Sequence, residues 1–414
     1  MSLAIVHANQ LVCVSQTGQR AKCGHVMRDL AIIEDGAVLI KADKIVWTGP
    51  SSQLPQLGED SHLIDARGKI VLPGLVDSHT HLVFAGDRAA EFEQRLQGAS
   101  YQEIAAKGGG INSTVRQVRQ ASPAELKESA HQRLKQMLEF GITTVEVKSG
   151  YGLTLQDELK CLNLIAELNH EQPCELAPTF LGAHEIPPEY RTNRHEYIRL
   201  LCAEMIPRVA TERLAEFCDV FCEQGVFSVV ESERILGTAK DHGLKLKIHA
   251  DEFTALGGTE MAARLGAVSA DHLLHVTETG IQALKVAGTV ATLLPGTAFF
   301  LGLAYAPARK LIDRGLPVAM ATDCNPGSCM SENLPLMGTI ACTQMKMLPA
   351  EVVSAMTLNA AAALGRSDRI GSIEPGKQAD LVIFDVPSYS YLPYHFGVNH
   401  AWKVIKSGRV VVGA

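Results

Sequence analysis

The chain of 414 residues has no surplus of positive charge: 38 Lys and Arg stand against 45 Asp and Glu, a formal net charge of −7. That argues against nucleic acid or an anionic membrane as partner. It has no run of like charges that would form an interaction tail. Its ten cysteines scatter from Cys13 to Cys342 without a single CxxC pair. A disulfide scaffold is thereby excluded, and free thiols in a reducing cytoplasm are expected. The N-terminus lacks the basic and apolar regions of a secretory signal. No long apolar run survives inspection either. The uncharged stretch 286–308 is broken by Gly288, Pro295, Gly296 and Gly302, whereas a membrane-spanning helix needs about 20 mainly apolar residues. A buried strand over 289–294 and a loop are expected there. Internal repeats and low-complexity segments are absent.

What is present is globular: 46% hydrophobic and 20% charged residues. Short β-branched runs fill residues 3–48, separated by turn residues such as Glu34-Asp35-Gly36 and Ala42-Asp43. Near the C-terminus, 379–386 reads as a strand, and 402–412 as a hairpin turning at Ser407-Gly408. With β structure at both ends, the simplest architecture is a small β-sandwich domain from residues 1–72 and 366–414, with a larger domain, 73–365, inserted.

The middle alternates strands and helices. Strands are predicted over 70–77, 143–148, 175–181, 218–223, 244–249, 269–274, 289–294 and 317–322, apolar on both faces as buried parallel strands are. Ser122, Pro123 and Glu125 form a capping box before Leu126, Ala130, Leu134 and Leu138, and Gly141 ends that helix. Thr154 and Asp157 open a second helix. Eight strands alternating with helices predict an α/β fold with a (β/α)8 TIM-type barrel, which needs about 250 residues. A doubly wound sheet would want a glycine-rich loop after its first strand, and none follows 70–77.

In such a barrel the C-terminal strand ends face the active site. Strand one ends in Asp77-Ser78-His79-Thr80-His81, strand five in His249-Ala250-Asp251-Glu252, strand six carries Asp271-His272, and strand eight ends in Thr322-Asp323. Residues two apart on a strand point the same way, so His79 and His81 can share one ion, with His249 and Asp323 closing from across the barrel. Three imidazoles and a carboxylate suit zinc or iron, not magnesium or calcium.

This constellation resembles the amidohydrolase superfamily, whose opening motif is similar to residues 71–81 (VLPGLVDSHTH) and whose return to the β domain is similar to 371–381 (GSIEPGKQADL). Segments 79–88 (HTHLVFAGDR), 91–110 (EFEQRLQGASYQEIAAKGGG), 146–153 (EVKSGYGL), 179–184 (TFLGAH) and 322–329 (TDCNPGSC) narrow it. They resemble the branch that hydrolytically opens 4-imidazolone-5-propanoate to N-formimidoyl-L-glutamate in histidine degradation. The resemblance covers essentially the whole chain. It implies one Zn2+ or Fe3+ per chain on His79, His81, His249 and Asp323, with Glu252 and His272 as catalytic residues beside the activated water. It implies substrate binding by Arg88, Tyr151, His184, Glu252, Asn325, Gly327 and Ser328. Arg88 suits a carboxylate, and His184 is expected to donate to a ring oxygen. The bland alternatives are an exposed Arg88 paired with Glu91, a packed Tyr151 and a merely satisfied His184.

Two-metal relatives often carry a carboxylated lysine on strand four. Here that strand ends in Cys222-Glu223-Gln224, so one metal is expected. Glu223 remains a candidate second ligand, and Lys148 reads as structural or pocket-lining. A metal-dependent deaminase of a heterocyclic base shares the same core, and a non-enzymatic interaction protein would lack the ligands. The partner is a small-molecule substrate, in a cytoplasmic protein. The oligomeric state stays open, a homodimer being the commonest arrangement.

Overall fold

Both ends of the chain meet in one sheet. The computed structural model describes residues 2–16, 18–99, 103–104 and 108–413, so part of the 91–110 segment lies outside the described residues. In chain order the strands are β1 (Ser2–Val12), β2 (Ile32–Lys41), β3 (Lys44–Pro50), β4 (Ser61–Asp65), β5 (Ile70–Pro73), β6 (Leu75–Asp77), β7 (Ile142–Lys148), β8 (Glu175–Ala183) and β9 (Phe217–Cys222). They continue with β10 (Lys245–Leu246), β11 (His249–Ala250), β12 (Ser269–His272), β13 (Val290–Leu293), β14 (Val318–Met320), β15 (Leu381–Phe384), β16 (Ala401–Lys406) and β17 (Arg409–Val412).

The terminal sheet runs β17-β16-β15-β5-β1-β2-β3, with β4 also on β1. The layers expected of a sandwich thus belong to one continuous sheet that forks at β1. Residues 2–6 pair with β4, whereas Gln10 and Leu11 pair with β5. Between them the β1–β2 register shifts. His7 and Asp35 both take positive φ there, 57° and 43°, and His7 Nδ1 bonds Asp35 Oδ1 at 2.9 Å. Glu34-Asp35-Gly36, expected as a turn, is therefore an irregularity inside β2. The turns at Ala42-Asp43 and Ser407-Gly408 form as expected, with positive φ at Ala42, Ser407 and Gly408.

The second sheet runs β6-β7-β8-β9-β11-β12-β13-β14, all parallel, with β10 also on β9. A parallel bridge between Thr80 and Cys324 closes it into a barrel. Two backbone bonds make that seam, Asp323 N–H to His79 O and His81 N–H to Cys324 O, both 3.0 Å.

Two expected strands are each split. The strand over 70–77 breaks at Gly74, where β5 joins the terminal sheet and β6 the barrel. Gly74 N–H turns back to Asp380 O, while Leu75 N–H reaches Gly141 O. The strand over 244–249 divides around Lys247 into β10 and β11. The capping box at Ser122 and Glu125 and the Thr154 cap on Asp157 both form. The stretch 286–308 holds β13 and the helix Pro295–Leu301. Among the described residues no helix is long and apolar enough to cross a membrane.

One end of the barrel is plugged. Val76, Ala177, Phe217, Val290 and Ala319, from five of its strands, pack on Ala360, Ala361 and Ala363 of the helix Leu358–Ala363. The polar interior lies above this plug, toward the C-terminal strand ends.

Candidate metal centre

Buried barrel strands present alternate residues inward. On the extension of β6 these are His79 and His81; on β7, Glu146 and Lys148; on β9, Asp219; around β11, Lys247 and His249; on β12, Asp271. All eight are buried. Barrel interiors are usually layers of Val, Ile and Leu, so this charged column marks a site.

At its upper end one ligand atom each from His79, His81 and His249 lies within 4.8 Å of the others. His249 Nε2 and His81 Nε2 are 3.3 Å apart. Asp323 Oδ1 stands 3.5 Å from Nε2 of both His79 and His81. His79 Nε2 and Asp323 Oδ1 are buried without a hydrogen-bond partner, a costly state for groups left alone. The convergent lone pairs fit a borderline transition-metal ion. Burial first, then Lys148 and the crowding of neighbouring imidazoles, holds the His79 and His81 imidazoles well below their ordinary range, so both are neutral. Burial raises Asp323 to about 6, against the hydroxyl bond from Thr297 at 2.6 Å.

The chain pays for this geometry in backbone strain. Asp251, His272, Leu273 and Asp323 all have φ between 53° and 76°, where non-glycine residues rarely sit. All four fall at strand ends facing the centre.

Glu252 and His272 lie beside the centre, Glu252 Oε2 at 3.6 Å from His272 Nε2. Burial, then the charges of Asp323 and Glu223, pushes the Glu252 carboxyl well above the carboxylate range. Burial, with His249 next, keeps His272 neutral.

The expected substrate-binding residues gather on one side. His184 stacks on His81, ring centroids 4.9 Å apart, and Tyr151 stands 5.2 Å from His184. His184 Nδ1 donates to Gly150 O at 3.0 Å, and burial lowers the imidazole to about 3. Neutral His184 thus offers a lone pair at Nε2, and the expected donor role reverses to acceptor. Arg88 pairs through Nε with Glu91 at 2.8 Å, yet its side chain is only 9% exposed. It lies against Gly327, where an added Cβ would meet Arg88 Nη1 at 2.0 Å. The exposed-pair reading of Arg88 is half right: the pair forms, but in a sheltered position.

Asn325 serves its own loop. Its Nδ2 donates to Asp323 O and Ser328 Oγ, and its Oδ1 accepts from the N–H groups of Gly327 and Ser328, at 2.7–2.8 Å. Glu223 is likewise engaged. It accepts from the N–H groups of Phe253 (2.9 Å), Thr254 (3.2 Å) and Gln224 (2.7 Å), and from the Thr254 hydroxyl. That carboxylate braces the loop after β11.

Sequence reasoning missed the layer behind the candidate ligands. His79 Nδ1 donates to Asp271 Oδ2 at 2.7 Å, and His249 Nδ1 reaches Asp219 Oδ1 at 3.2 Å. Lys148 Nζ lies 2.7 Å from both Glu146 Oε1 and Asp219 Oδ2. Burial would discharge this ammonium, but Asp219, Glu146 and Asp271 more than offset it and hold it above its usual range. The available signal was polar residues at alternate positions of otherwise apolar strands.

Comparison with known proteins accords with this geometry. The family model described as "Amidohydrolase family" matches residues 70–413. The chain is 51% identical to the imidazolonepropionase of Alkaliphilus metalliredigens over 392 residues, covering 94% of this chain and 93% of that protein. It is 50% identical to the imidazolonepropionase of Geobacillus kaustophilus over 414 residues, covering 99% and 98%. Among solved structures, a triazine hydrolase variant superposes with a TM-score of 0.75 at 18% identity, covering 99% of this chain and 94% of that one. An adenosine deaminase from Xanthomonas campestris with bound zinc gives 0.70 at 20%, covering 99% and 92%. At such identities these two speak to the fold alone.

Proposed function

The chain belongs to the amidohydrolase family, on its imidazolonepropionase branch, and from that premise we propose how its residues open the ring of 4-imidazolone-5-propanoate to N-formimidoyl-L-glutamate. The observation that carries the reading is the convergence of His79 Nε2, His81 Nε2, His249 Nε2 and Asp323 Oδ1 on one buried point, with a sheltered arginine nearby. We read these four as ligands to a single Zn2+ or Fe3+. Glu223, the candidate for a second ion, is occupied by its loop. When bound, the metal lowers the pKa of water toward neutrality and polarises the scissile carbonyl.

Arg88 binds the propionate arm. Glu91 takes its Nε, which leaves the outer nitrogens of the fork for a carboxylate. Tyr151 and His184 flank the ring, His184 accepting a ring N–H at Nε2. Gly327 and Ser328 line the loop that Asn325 shapes. His272 donates to the carbonyl oxygen as negative charge develops. Glu252 accepts the proton lost by the attacking water and delivers it to the leaving ring nitrogen, a task its raised proton affinity suits. We read the protein as cytoplasmic, as a homodimer by default, and as divided into 1–72 with 366–414 and 73–365.

The deaminase reading shares the core but gives Arg88 nothing to bind. Incubation with imidazolone propionate, with product analysis, tests the choice. Formimidoylglutamate should accumulate, and cytosine or guanine should release no ammonia. His81→Ala should lose metal and turnover together; ammonia from a nucleobase without ring opening would promote the deaminase.

A further inference from the structure

Two of the three ligand histidines are held from behind by carboxylates, and both holds meet at one ammonium. Lys148 Nζ lies 2.7 Å from Asp219 Oδ2 and 3.9 Å from Asp271 Oδ2. Asp219 holds His249 and Asp271 holds His79 through their Nδ1 atoms. We propose that Lys148 is a positioning residue for the metal centre: it hydrogen-bonds the carboxylate behind His249, stands 3.9 Å from the one behind His79, and through them sets the ring orientation of both histidines.

The oxygens of Asp271 and Asp219 face the two Nδ1 atoms as acceptors, which places the ring protons on that side. That leaves the lone pair at Nε2, the atom on the metal side. Partners behind ligand histidines fix tautomer and orientation in this way. Asp219, Asp271 and Glu146 share a fully buried interior, where carboxylates need a cation placed among them. Lys247 helps at 3.6 Å from Asp271, but its nearer partner is Ser78 O at 3.2 Å. Lys148 is the ammonium within 4 Å of both carboxylates, hydrogen-bonded to Asp219 and 3.9 Å from Asp271. His81 is the internal contrast. Its Nδ1 has no hydrogen-bond partner, and it rests on the His184 ring instead. A purely structural role explains Lys148 poorly, since apolar residues fill such barrel layers at lower desolvation cost.

The proposal rests on the metal reading above but not on the substrate. Its test is Zn2+ affinity, measured by competition with a chromogenic chelator, with circular dichroism confirming the fold. Asp271→Asn and Asp219→Asn keep the shape and remove the charge. Each should raise the zinc Kd by about 10–100-fold, the scale for losing such partners. Lys148→Met should do the same. The charge-balanced double variant Lys148→Met with Asp219→Asn should lose no more than the worse single, because both act along one path. A folded Lys148→Met chain with a Kd within twofold of native overturns the proposal. If that chain does not fold, the double variant is held to the same threshold, and if neither folds the two Asn variants are. A native chain that binds no zinc would overturn the metal reading, and this proposal with it.

Discussion

Arg88 and Gly327 work as one device. The guanidinium occupies the space a side chain at 327 would fill, 2.0 Å from an added Cβ. Because the clashing atom ends a flexible side chain, Gly327→Ala should leave the melting temperature unchanged and push Arg88 aside. kcat/KM for imidazolone propionate should then fall in the same direction as in Arg88→Ala, where the loss is expected at about 2–5 kcal/mol, as for truncating one partner of a buried charge pair. Arg88→Lys should recover only part of it, since a point charge cannot reproduce the fork. Steady-state kinetics of the three variants checks this, and an unaffected Gly327→Ala would separate the two residues. Glu252 is a different case. Glu252→Gln keeps the shape and removes the proton acceptor, so metal content should hold while kcat falls by roughly 10²–10⁴. Full turnover in that variant would move the role to His272.

At the scale of elements, Gly74 is where one run of sequence serves two sheets. A Cβ there would stand 2.3 Å from Thr143 Oγ1 and 2.6 Å from its Cγ2, inside the fully buried start of β7. Gly74→Ala should therefore cost about 1–3 kcal/mol, the usual scale of overpacking, read as a lower midpoint in urea. The sequence shows eight apolar runs with candidate ligands at their ends, because those runs are buried and the histidines and acids follow them directly. It does not show that 70–77 is two strands. Pro73-Gly74 sits in an unbroken apolar run, and only the partners, β15 on one side and β7 on the other, divide it. Nor does it show what Glu223 does, since its partners Phe253 and Thr254 lie on another loop. The Asp219–Lys148–Asp271 layer escaped for a related reason: its charges stand on different strands, and only the closed barrel brings them together. Asn325 is legible as a turn residue, but not that its amide is consumed within the turn.

Across the whole molecule, Glu175 at the start of β8 fastens three parts together. It accepts from Arg366 (2.8 Å), just beyond the plug helix, and from Arg369 (2.6 Å), and it lies 3.5 Å from Lys406 at the end of β16. Burial alone would raise this carboxyl, but Lys406, Arg366 and Arg369 outweigh it and hold it at about 2, against an ordinary 4.5. With the folded value below the unfolded one, the stabilisation is complete above about 4.5 and drains away as pH falls toward 2. Glu175→Gln should cost about 2 kcal/mol at pH 7, between the value of an exposed pair and that of a broken buried one. In thermal melts its deficit against the native chain should shrink as pH falls from 5 to about 2; a constant deficit would contradict the clamp. The barrel's seam has a consequence of another kind. First and last strands meet through His79, His81, Asp323 and Cys324, and the Asp77 carboxylate accepts from Thr322 N–H and Oγ1 across the same line. Three of the four proposed ligands thus lie on that line, so occupancy of the centre rivets a ring shut. Stripping the centre with a chelator is therefore expected to loosen the ring at this line first, read as faster hydrogen exchange of the His81 and Asp323 amides than of the strands opposite.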